Sequence, residues 1–126
     1  MRELKKGSLG LLVLHLLYEQ PSYGYELCER LRERSEGTLS FEDGAVYPLL
    51  HAFERDGLAA GYWENAEGDD GDATEAAPAR RGPRRRYYRL TPAGVAALRG
   101  ALKEWQTFSG AVDRVLGEQP AMGGEG

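Results

Sequence analysis

The sequence predicts a mainly helical α+β domain, and three observations carry that prediction. Three stretches before residue 58 repeat apolar residues at helical spacing. Two short stretches, 58–64 and 84–90, hold aromatic residues without that spacing. A fourth apolar stripe, about 25 residues long, follows Thr91. The chain has 126 residues, 41% apolar and 29% charged, which suits one folded domain rather than a disordered chain.

In the first helix, Leu9, Leu12, Val13, Leu16 and Leu17 follow the i, i+3, i+4 pattern. Leu11 and Leu14 broaden the stripe, so burial on most sides is expected. His15 is read as a satisfied buried histidine, with effector contact or pH sensing as the second reading. Pro21 ends this helix, because the residue before a proline avoids the helical region. Ser22 is the expected N-cap of the second helix. Leu27, Cys28 and Leu31 form that helix's apolar face, and Glu36-Gly37 ends it. Cys28 reads as a small core residue.

Ser40 or Asp43 caps the third helix. Its buried stripe is Val46, Leu49, Leu50 and Phe53, and Gly57 stops it. Pro48 sits near its beginning, where a missing N–H costs least. Tyr47, His51 and Arg55 lie on the opposite face. Two strands then flank a long loop at about 65–83. Alternation turns one of Tyr87 and Tyr88 inward and the other outward. Thr91-Pro92 is a helix start, with a cap followed by proline at the first position. Val95, Leu98, Leu102, Trp105, Val112 and Leu116 make the fourth stripe, interrupted at Ser109 and widened by Ala101, Phe108 and Val115. Such a helix is roughly 37 Å long at ~1.5 Å per residue. This domain has too little body to cover it, so a second copy is expected over Leu98, Leu102, Trp105, Val112 and Leu116.

The net charge of -4 conceals an uneven distribution. Residues 64–79 carry 6 acids and no base, whereas residues 80–89 carry 6 arginines and no acid. A local positive field of that kind decides contact with phosphates more than the total charge does. Three helices followed by a basic hairpin is the order of a winged helix-turn-helix. In that fold the third helix enters the major groove and the hairpin loop lies over the neighbouring backbone. Arg84, Arg85 and Arg86 on the wing suit phosphates, and His51 is a candidate contact on the third helix. The expected division is 1–90 for DNA binding, 91–117 for a long dimerisation helix and 118–126 for a disordered tail.

One cysteine excludes an internal disulfide framework and fits a reducing compartment. The longest apolar run, residues 9–18, is too short for a membrane span, and no cleavage site marks a signal peptide. A cytoplasmic protein is expected. Two scattered histidines and one cysteine give no metal-ligand spacing, and no nucleophile motif is visible. Neither an enzyme nor a cofactor is expected.

The blocks KGSLGLLVLHLL (6–17), SYGYEL (22–27), GAVYPLLHAFERDGL (44–58) and RRYYRLTPAG (85–94) resemble the PadR family of bacterial transcriptional regulators, in its short form with a single C-terminal helix. The blocks and their order span about residues 4–118. The resemblance implies a homodimeric winged-helix repressor on a pseudo-palindromic operator, released by a small aromatic effector or a stress signal. It assigns Tyr23 and Tyr25 to the opening of the second helix. Gly44, Ala45, Tyr47 and Pro48 match the recognition helix, and Arg84 to Arg86 with Tyr87 match the wing. Trp105 reads as interface packing or as a stacking surface for a flat aromatic effector. Phe108, Leu12, Ser8 and Lys5 are candidates for the same cavity.

This chain departs from the family pattern at Phe41-Glu42-Asp43-Gly44-Ala45-Val46-Tyr47-Pro48. Ala45 stands where members commonly carry threonine. Glu42 and Asp43 suit a helix N-terminus but repel a DNA backbone. The acidic run 67–75 is expected to stay away from DNA. Two other functions remain open: a winged-helix protein-interaction module with weak DNA binding, and a ligand-sequestering protein.

Overall fold

The computed structural model describes residues 2–64 and 84–118. The expected wing loop at 65–83, with its acidic run and Arg80 and Arg81, lies outside the described residues. So do residues 119–126 of the expected tail and the side chain of Lys5.

The chain runs α1 (Arg2–Glu19), β1 (Ser22–Tyr23), α2 (Gly24–Arg34), α3 (Asp43–Arg55), β2 (Ala59–Trp63), β3 (Arg86–Leu90) and α4 (Pro92–Leu116). The three strands form one antiparallel sheet in the order β1-β3-β2. This is a winged-helix arrangement with a long C-terminal helix.

The core joins the stripes expected from the sequence. Val13, Leu16 and Leu17 of α1 meet Leu27 and Leu31 of α2, and Val46, Leu50 and Phe53 of α3. Burying each of these side chains contributes about 1.5–3 kcal/mol. Tyr88 is 1% exposed and is the inward tyrosine of β3, while Tyr87 is only half-buried on the other face. The period-2 pleat separates them.

The third strand was not expected. Ser22 pairs with Tyr88 and Tyr23 with Tyr87. Ser22 is therefore not the N-cap of α2; Tyr23 holds that position, in extended backbone and without a side-chain cap bond. Ser22 is fully buried, and its hydroxyl accepts a hydrogen bond from Arg30 Nη1 at 2.8 Å. The same nitrogen donates to the Leu16 carbonyl at 3.2 Å. Arg30 thus ties the end of α1 to β1 and α2. The cap of α3 is likewise neither Ser40 nor Asp43. Glu42 precedes the helix in extended backbone, and its carbonyl accepts from Ala45 N at 2.9 Å. Pro48 is the sixth residue of α3 and so removes a bond to Gly44 in the second turn, beyond the orphan first turn.

α1 is not buried on most sides. It starts at Arg2, and Leu11 and Leu12 are only half-buried. His15 is exposed, not buried; its Nε2 lies 3.0 Å from Glu19 Oε2. The His15 ring lines an open cavity between α1 and α4 and so keeps contact with solvent.

Both α2 and α3 end in the same hydrogen-bond pattern. After α3, Gly57 N donates to Glu54 O at 3.1 Å and Leu58 N to Phe53 O at 2.8 Å, with Gly57 at φ 78°. After α2, Glu36 N donates to Glu33 O and Gly37 N to Arg32 O. The left-handed position there holds Glu36, at φ 54°. A side chain in that region costs about 1–2 kcal/mol, against roughly 0.5–1 kcal/mol of extra chain entropy for glycine. Glu36→Gly is therefore expected to stabilise the fold by about 0.5 kcal/mol. A melting temperature unchanged or lowered in circular dichroism would contradict this.

Candidate nucleic-acid interface

The residues expected on the recognition helix fall into two groups. Gly44, Ala45, Pro48 and His51 are exposed along α3. Tyr47 is not free on the opposite face, as the helical wheel suggests. Its ring packs over Gly24, where an added Cβ would sit 2.5 Å from the tyrosine Cζ. Glycine at the start of α2 therefore lets α2 and α3 approach closely. Tyr47 joins α2 to α3, with His51 one turn further at a ring distance of 6.3 Å.

Tyr25 is exposed on α2, and its hydrogen bond with Glu29 pushes its phenol pKa up. Tyr23 is half-buried, with its ring edge-on to Tyr87 at 5.1 Å. Burial, and then the nearby Glu26 carboxylate, push the Tyr87 phenol up as well. Both tyrosines remain neutral hydrogen-bond donors at neutral pH. One carboxylate oxygen of Glu26 is buried with no hydrogen-bond partner among the described residues.

The arginines of the wing separate by environment. Arg84 is exposed and donates from Nη2 to the Glu64 carbonyl at 3.2 Å. Arg85 is exposed, lies 4.9 Å over the Tyr23 ring and sits 3.5 Å from Glu64 Oε2. Both present guanidinium groups to solvent, held by contacts that a phosphate can replace. Arg86 differs. Its Nη2 donates to Glu54 Oε2 at 2.7 Å, and its guanidinium lies 5.2 Å over the Trp63 ring. It faces the inner side of the sheet with Tyr88 and links α3 to the wing. Arg85→Ala is expected to flatten the dependence of log affinity on log salt by about 1 for each chain bound. Arg86→Ala is expected to leave that slope unchanged and to cost about 1 kcal/mol of stability. Equal slopes for the two variants, measured at several salt concentrations, would refute this division.

A second site lies between α1 and α4. The helices flank an open cavity of about 470 Å³, with Leu12, His15 and Tyr18 on one wall and Arg99, Leu102 and Trp105 on the other. It brings together three of the four expected effector residues. Phe108 lies outside the lining, with its ring 6.1 Å from Trp105. Ser8 is also outside it. Leu98 is 7% exposed and belongs to this chain's own core, so the outward stripe starts at Leu102 and includes Leu116 and Val115, with Val112 half-buried. Next to His15 on α1, Glu19 accepts from Arg30 Nη2 at 2.8 Å and from Arg34. The Arg34 hydrogen bond holds the Glu19 carboxyl below the usual carboxylate range.

Sequence reasoning missed the aromatic pair at the end of β2, Tyr62 and Trp63, and the part of Glu64 in gathering Arg84 and Arg85. The aromatic content of residues 58–64 was the available signal. Among the described residues no cluster of His, Cys, Asp or Glu could hold a metal ion, and no helix is long and apolar enough to cross a membrane.

The family model of PadR-like transcriptional regulators matches residues 13–73. The chain is 32% identical over 129 residues to the transcriptional regulator Rv3488 of Mycobacterium tuberculosis, covering all of this chain and 99% of that protein. The crystal structure of a PadR family transcriptional regulator from Eggerthella lenta is similar, with a TM-score of 0.71 and 31% identity, over 93% of this chain and 88% of that one. A PadR-like regulator from Bacillus cereus gives a TM-score of 0.70 at 25% identity, over 93% and 99%. Members of this family are transcriptional regulators and not enzymes. Fold, motif order and full-length similarity agree: the chain belongs to the PadR family of transcriptional regulators.

Proposed function

We propose that the protein is a homodimeric repressor that reads a pseudo-palindromic operator and releases it when a small aromatic effector binds. Residues 1–90 bind DNA, residues 91–117 form the dimerisation helix, and the protein acts in the cytoplasm. Tyr23, Tyr25, Gly44, Ala45, Pro48, His51, Arg84 and Arg85 face the DNA. Half-sites are spaced by about one turn, ~10 bp. The observation that carries this reading is the apolar face of α4, where Leu102, Trp105, Phe108, Val115 and Leu116 are exposed in a single chain. An apolar stripe of this length is covered by a partner helix in a soluble protein. The cavity beside Trp105 then lies next to the dimer centre, where a flat aromatic ligand stacks on the indole. The residues lining that cavity reach Arg30 and α2 through Glu19, so ligand binding at His15 bears on the DNA-binding unit.

The test is fluorescence anisotropy of the protein with DNA from upstream of its own gene, against scrambled DNA, at two salt concentrations. Tight, sequence-dependent, salt-sensitive binding supports the repressor. Equal weak binding to both favours a protein-interaction or ligand-sequestering module. Exposed Glu42 at the start of α3, where DNA would approach, is the observation on that side.

A further inference from the structure

The outer face of the sheet carries a row of aromatic side chains that crosses all three strands. Tyr23 of β1 pairs with Tyr87 of β3, which pairs with Tyr62 of β2. The Tyr23 and Tyr87 rings meet edge-on at 5.1 Å, and Tyr87 and Tyr62 stack at 5.8 Å with a 20° interplanar angle. The Arg85 guanidinium extends the row, 4.9 Å over Tyr23. Trp63 points to the other face, beneath Arg86.

Cross-strand packing alone accounts for a buried aromatic pair. It does not account for the far end of this row. Tyr62 is 39% exposed on a strand that, among the described residues, has no neighbour on its other side. The row also begins at the N-cap of α2 and ends at the base of the wing, beside the two elements that a winged helix sets against the phosphate backbone. The two ring spacings, 5.1 and 5.8 Å, keep the three phenols within about 11 Å of one another.

We infer that Tyr62 is a further DNA-contacting residue, the outer member of a row, Arg85–Tyr23–Tyr87–Tyr62, that lies along one sugar–phosphate strand beside the recognition helix. Phenol hydroxyls donate to phosphate oxygens without carrying charge, and the rings pack on the sugars. Arg85 is the charged member. The inference rests on the DNA-reading function proposed above, and it adds a residue that neither motif nor charge identifies.

The experiment titrates wild type, Tyr62→Phe, Tyr62→Ala and Arg85→Ala with two duplexes, the region upstream of the gene and an unrelated sequence, at two salt concentrations. Tyr62→Ala is expected to weaken binding to both duplexes about tenfold, and Tyr62→Phe by most of that factor, because the ring stays and the donor goes. The salt slope stays at the wild-type value for both, since a neutral donor releases no counterion, while Arg85→Ala flattens it. Binding within twofold of wild type for both Tyr62 variants, with only a lower melting temperature, would reduce Tyr62 to strand packing. Weakening confined to the upstream duplex would mean base reading and would overturn the backbone contact. A wild type that binds neither duplex refutes the DNA-reading function itself, and with it this inference.

Discussion

Gly94→Ala is expected to cost about 3 kcal/mol of stability and to lower the melting temperature by roughly 15 °C. An added Cβ at Gly94 would lie 2.1 Å from the Leu58 carbonyl oxygen and 2.6 Å from Leu90 Cδ1. The first of these is backbone, so no side chain can swing aside to relieve it. The clash falls on the joint that fixes α4 to the wing. Thr91 N donates to Leu58 O at 3.0 Å, Thr91 Oγ1 donates to Gly57 O at 2.7 Å, and Gly94 N donates to Thr91 Oγ1 at 3.0 Å. Moving α4 to make room strains all three. Gly100 on the same helix is the control, because a Cβ there meets nothing within 4 Å. Gly100→Ala is expected to raise stability by up to about 1 kcal/mol through helix propensity. Thermal unfolding followed by circular dichroism reads both signs. A Gly94→Ala protein that melts with wild type would disprove the close approach.

Trp105→Asp is expected to weaken dimerisation by a hundredfold or more. Trp105 is 42% exposed in the single chain, so the isolated fold loses little when it changes. In a dimer closed over the α4 stripe, the new carboxylate would be buried without a partner. Leaving one unpaired charge in such a place costs about 3–5 kcal/mol, and each 1.4 kcal/mol is tenfold in the association constant. Sedimentation velocity at micromolar concentration separates the outcomes. Monomers from the variant and dimers from wild type are the expected pair, and a dimeric variant would place the interface elsewhere.

Local signals were legible in the sequence, and their mutual packing was not. The stripes of α1 and α3, the stop at Gly57 and the start at Thr91-Pro92 all depend on residues within two turns of one another, and each is where the pattern places it. β1 was hidden because two residues carry no period, and Ser22 beside Pro21 reads as a cap. The exposure of His15 depends on how far α4 stands from α1, which no local rule contains. Arg86 sits within a run of arginines, yet its neighbour Glu54 lies on α3, and only the joining of α3 to β3 brings them together. Tyr62 became a site candidate only when the register aligned it with Tyr87 and Tyr23.

The pairing of β1 with β3 also sets an order of events during synthesis. Among the described residues, Ser22 and Tyr23 find their strand partners only at Tyr88 and Tyr87, far along the chain. Helices α1 to α3 are synthesised before those partners exist. Loop closure over that length costs only slightly more than over a shorter one, since the penalty grows with the logarithm of length, but it must wait for the chain to arrive. A nascent or truncated chain ending before residue 86 therefore carries α3 without the strand that pairs with the start of α2. Such fragments present α3 on an unfinished platform.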